Sequence, residues 1–107
     1  MPFPTLDDDG QTVTLDLHGA AVDDALALSI RVVEAAARRG RGTVRIVHGA
    51  STRGGGRRTI EQALHAHLDQ GGFAGIASAW RGDGHLLLAL PLASETDPTP
   101  LRLRDLL

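Results

Sequence analysis

The chain has 107 residues, 42% of them hydrophobic and 22% charged, with a formal net charge of −2; this is material for one domain and too little for two. It has no Cys, which excludes disulfides and thiolate metal sites. No apolar run approaches the roughly 20 residues of a membrane span, and the opening MPFPTLDDDG lacks the basic and apolar regions of a signal peptide, so a cytoplasmic location without membrane contact is expected.

Residues 1–11 are polar and Pro-containing and read as an arm. TVTLDL, residues 12–17, alternates cleanly: Val13, Leu15 and Leu17 share one face, Thr12, Thr14 and Asp16 the other. That is the pattern of a half-buried strand, and His18-Gly19 ends it. A helix is predicted over residues 22–39, with Leu26, Ile30, Val33 and Ala37 as its core stripe. Asp23 and Asp24 suit the positive end of its dipole, and Gly40 is placed to be the C′ residue.

Residues 43–48 form the second predicted strand, with Val44 and Ile46 on one face and Arg45 and Val47 on the other. Strand, helix and strand with short links imply a βαβ unit with parallel strands. A glycine-rich loop follows at residues 49–58. Thr59 and Gln62 fit a capping box for a second helix running to about Asp69, its core face carrying Ile60, Ala63, Leu64 and Leu68. Residues 73–80 read as a third strand, residues 81–84 as a turn, and residues 85–90 as a fourth strand. A loop-like tail takes up residues 91–107.

The resulting order is βαβαββ. It predicts an α/β (α+β) two-layer sandwich, with a four-stranded mixed sheet and both helices on one face. Residues 12–90 make the domain, between an arm at 1–11 and the tail. The other sheet face carries Thr12, Thr14, Asp16 and Arg45, with Asp16 and Arg45 placed to pair across neighbouring strands.

The C-terminal ends of parallel neighbours lie side by side, and open α/β sheets bind their ligands there. That edge would gather Asp16, His18 and His48 beside the glycine loop. A His pair suits general acid and base work near neutral pH. Arginines and loop N–H groups hold phosphate and its developing charge. All 11 basic residues are Arg, and eight of them fall between Arg31 and Arg58, a segment whose one acidic residue is Glu34. Arg suits phosphate and a local patch outweighs net charge; a solvated helix end in an Arg-rich composition gives the same pattern.

Other readings fall away on inspection. The loop supplies Gly49 and Gly54 of a P-loop pattern, but Gly55 and Gly56 stand where Lys and Ser/Thr belong. Nucleotide hydrolysis is excluded on that ground. His65 and His67, two apart on a helix, point in different directions and are not expected to share a metal. Trp80, the single Trp, is expected to pack at a strand end, which leaves few side chains for base stacking.

Taken in order, Leu15-Asp16-Leu17-His18-Gly19, Val22-Asp23-Asp24-Ala25-Leu26, the strand ending in His48-Gly49, and Gly82-Asp83-Gly84 before an apolar strand resemble the small MutS-related (Smr) domain family. That family shows LDLHG and HGKG motifs. The resemblance covers roughly residues 12–90 and implies a compact βαβαββ fold, similar to the C-terminal domain of a bacterial translation initiation factor. It also implies nucleic-acid binding, often with endonuclease activity on RNA or DNA. By matching position it makes Asp16, His18, His48 and Gly49 the functional edge. Here the family's Lys is Ala50 and its second Gly is Ser51.

The resemblance therefore implies an Smr-like domain that binds RNA or DNA, with cleavage of its phosphodiester backbone as the enzymatic option. Asp16, His18 and His48 are the catalytic candidates: the two histidines as acid–base pair, Asp16 orienting a His or joining a metal. Gly49, Ser51, Arg53 and Gly54, with Arg57, Arg58 and Arg45, are the candidates for holding nucleic acid. No metal ligand is assigned; Mg²⁺ or Mn²⁺ is the cofactor option, and a monomer or weak dimer is expected. The alternatives are a non-catalytic nucleic-acid or ribosome-binding module and a protein-interaction domain. In the second, the loop would hold an anion at a helix N-terminus.

Overall fold

The computed structural model describes residues 4–17, 20–48, 59–73, 75–82, 84–91, 93 and 95–106. These residues form strands β1 (Thr5–Asp8) and β2 (Thr12–Asp16), helix α1 (Val22–Arg38), strand β3 (Thr43–Val47), helix α2 (Ile60–Asp69), strands β4 (Ser78–Gly82) and β5 (His85–Ala89), and a final 3-10 turn at Leu103–Leu106. The sheet runs β1-β2-β3-β5-β4. β2 and β3 are parallel; the other neighbours are antiparallel.

The expected sandwich is present, with five strands rather than four. The addition is β1, which pairs antiparallel with β2 and places Leu6 beside Leu15. Its TLDD sequence has one apolar residue and carries no alternation. What holds it is distant in sequence. Arg41, 1% exposed, donates from Nε to Asp8 Oδ1 at 2.7 Å and from Nη2 to Asp8 Oδ2 at 2.9 Å. The remaining guanidinium donors reach the carbonyl oxygens of Arg39, Asp97 and Thr99. The Leu101 N–H donates to Asp8 Oδ2 at 2.7 Å. Burial alone would raise the Asp8 carboxyl; the Arg41 and backbone hydrogen bonds and the Arg41 charge outweigh it, holding Asp8 below its ordinary value.

Register builds the core in rows across the three central strands. Val13 lies beside Val44 and Val44 beside Leu88; Leu15 lies beside Ile46 and Ile46 beside Leu86. All six are fully buried, each stabilising the fold by about 1.5–3 kcal/mol relative to exposure. α1 covers them with Ala25, Leu28, Ser29, Val32, Val33, Ala35 and Ala36. This stripe is rotated from the expected one: Leu26 and Ile30 flank the core and Ala37 is exposed. The N-cap of α1 is Ala21, whose side chain makes no cap hydrogen bond. α2 has the predicted capping box, Thr59 Oγ1 accepting from the Gln62 N–H at 3.1 Å and Gln62 Oε1 from the Thr59 N–H at 3.0 Å.

β4 starts later than predicted. Phe73 is buried (4% exposed) and packs edge-on against His67, ring centroids 4.7 Å apart. Gly75, at φ 84°, breaks the extended run. The strand begins at Ser78, where pairing with β5 starts, Ser78 lying beside Ala89. The tail packs on α1: Leu101 is buried, Arg39 Nη1 donates to the Thr99 carbonyl at 2.7 Å, and Arg31 Nη1 donates to the Leu106 carbonyl at 3.0 Å.

Candidate nucleic-acid interface and histidine cluster

Pairing of β2 with β3 sets Asp16 beside Val47. One residue on, the Leu17 N–H donates to the Val47 carbonyl at 2.9 Å, so both strand exits are locked at one edge. The His48 N–H donates to the Gly84 carbonyl at 2.9 Å, which ties the exit of β3 to the turn of the β4–β5 hairpin. Asp16 and His48 thus reach the same edge, as the sequence implies.

They reach it on different faces. Side chains alternate along a strand, so Asp16 follows Thr12 and Thr14 onto the face away from the helices. His48 follows the buried Val44 and Ile46 toward the helix layer. Its side chain is 0% exposed and lies against α2, with Nδ1 3.9 Å from Glu61 Oε2. The His65 ring meets it edge-on, centroids 6.1 Å apart at 87°. One donor atom each from His48, Glu61 and His65 lies within 4.8 Å of the other two. Glu61 and His65 are four residues apart on α2, hence on one face. Their signal in the sequence is faint: Glu61 reads as a first-turn helix acid, and His65 stands two positions from His67, which points elsewhere on the helix. The i,i+4 spacing of Glu61 and His65, next to a strand ending in His48, is the signal that could have found them.

Arg45 is exposed and sits opposite Thr14 on one side and Leu87 on the other. The register offsets it from Asp16, which lies beside Val47. Trp80 does not pack at a strand end. β4 is an edge strand, and Trp80 pairs with Leu87 on the sheet face that carries Arg45, 68% exposed. Among the described residues Asp7, Thr14, Arg45, Leu87 and Trp80 therefore form one row across that face. His18, Gly49, Ser51, Arg53, Gly54, Arg57 and Arg58 lie outside the described residues.

The Smr domain family model matches residues 15–90. The chain belongs to the Smr domain family. A crystal structure of the Smr domain of Thermus thermophilus MutS2 is similar in fold, with a TM-score of 0.55 and 25% identity, covering 76% of this chain and 98% of that one. No curated protein matches the chain. The Smr family is associated with nucleic-acid binding and nicking. No helix among the described residues is long and apolar enough to cross a membrane. Within this Smr domain the exits of β2 and β3 lie at one edge of the sheet.

Proposed function

We propose that this Smr domain binds RNA or DNA along the β2–β3 edge and cleaves a phosphodiester bond there. The pairing of Asp16 with Val47 supports the reading, because it makes neighbours of the two strand exits to which the chemistry is assigned here. In this reading His48 is the base for an attacking hydroxyl or water that enters beside the partly exposed Glu61, and Glu61, near the His48 Nδ1, supplies the carboxylate that orients the imidazole. His18 returns a proton to the leaving oxygen, and Asp16 orients His18. Gly49, Ser51 and Gly54 let the backbone approach phosphate, and Arg53, Arg57 and Arg58 replace the family's Lys as its cationic partners. Arg45 and Trp80 extend the surface over the open face, one toward phosphate and one toward a base.

A binding module without catalysis is the second reading, favoured by Ala50 and Ser51 in place of the motif's Lys and Gly. Labelled single- and double-stranded RNA and DNA at low salt, with Mg²⁺, Mn²⁺ or chelator, separate the two. Binding that weakens steeply with added salt, with cleavage lost in His48→Ala while affinity is kept, supports the nuclease. Salt-insensitive binding removes both readings. Binding without cleavage under every condition leaves the module.

A further inference from the structure

We infer that His48, Glu61 and His65 form a binding site for a divalent transition ion of the zinc class. The two imidazoles and one carboxylate come from separate elements, the end of β3 and one face of α2, and each places a donor atom within 4.8 Å of the other two. A tetrahedral ion with bonds of about 2.1 Å separates its ligand atoms by roughly 3.4 Å, so modest side-chain rotation closes the set. The His48 Nδ1 to Glu61 Oε2 distance of 3.9 Å is already near that value. A second observation points the same way. The His65 Nε2 atom is shielded from solvent and has no hydrogen-bond partner among the described residues. Buried polar atoms are normally satisfied, and His65 instead faces another imidazole with a carboxylate beside it.

Donor chemistry selects the ion. Imidazole nitrogens with one carboxylate suit Zn²⁺ and its neighbours in the transition series. Mg²⁺ and Ca²⁺ take oxygen ligands. Three protein ligands leave a fourth position for water or an anion such as a phosphate oxygen. Glu61, whose side chain is 29% exposed, is the side from which solvent reaches the cluster. The site does not rest on the cleavage reading, and its test needs no nucleic acid.

The full chain, stripped with chelator and desalted, is titrated at neutral pH with Zn²⁺ by calorimetry and with Co²⁺ by visible absorption. One ion per chain is expected, with the intense absorption bands of tetrahedral Co²⁺ displaced by Zn²⁺ and unmoved by excess Mg²⁺. Loss of a direct ligand costs at least the roughly 10–100-fold of losing an outer partner, so His65→Ala and Glu61→Gln each weaken binding by that much or more. Zn²⁺ raises the melting temperature of the parent and not of these variants. His67→Ala and His85→Ala bind like the parent. Absence of saturable binding overturns the assignment. So does parent-like affinity in both Glu61→Gln and His65→Ala, or loss of the ion in His67→Ala or His85→Ala. Partly exposed Glu61 gives a variant whose folding does not depend on a buried ring.

Discussion

The two proposed uses of His48 exclude each other. In the proposed cleavage its imidazole lone pair takes a proton from the nucleophile, whereas an ion held with Glu61 and His65 occupies that lone pair. Loading the cluster with Zn²⁺ should therefore suppress cleavage relative to chelator by roughly 10²-fold or more, the worth of one acid–base group. Activation by Zn²⁺ in a gel assay would overturn the proton-transfer role and leave the metal site standing. Trp80 makes a second case at this scale. One exposed indole on a sheet face gives about 1–3 kcal/mol of stacking per base. Trp80→Ala should lose that much affinity for single strands and little for duplex, read by fluorescence anisotropy. Neither role was legible from one segment alone. His48 meets Glu61 and His65 only when the period of a strand is combined with that of a helix. The exposure of Trp80 follows from the edge position of β4.

Elements with strong local signals are legible nearly in full. α2 announces itself through Thr59 and Gln62, and β2, β3 and β5 through strict alternation or apolar runs. β1 and the start of β4 lack such signals. β1 is held by a guanidinium 33 positions away, and β4 is set by its register with β5 rather than by its own Ala- and Gly-rich start. The helix ends give matched predictions. Thr59→Ala should cost about 1 kcal/mol by removing the cap of α2. Ala21 has the extended geometry of an N-cap, φ −70° and ψ 154°, without a side-chain bond, so Ala21→Ser should gain a similar amount. Urea denaturation with an unchanged m-value checks both.

At the scale of the whole molecule, Arg41 is the joint that binds β1, the end of α1 and the tail. Removing one partner of a buried ion pair costs about 3–5 kcal/mol, and Asp8→Ala should show it. The pH dependence has a fixed sign. Asp8 titrates in the folded chain below its ordinary value of 3.8. Its contribution is complete above that value and is lost as pH falls through the lower folded one. Asp8→Asn should flatten the stability profile in that acid window, measured by thermal melts across pH. The joint also has a place in time. The hydrogen bond from Leu101 to Asp8 closes a separation of 93 residues. During synthesis Asp97 and Thr99 leave the ribosome after β2, β3, β5 and both helices, so two carbonyl partners of Arg41 are among the last to arrive. Contacts that form after the rate-limiting step act on the escape from the native state, not on arrival. Stopped-flow kinetics of Asp8→Ala should accordingly show faster unfolding at a nearly unchanged folding rate, with this seam the first to open.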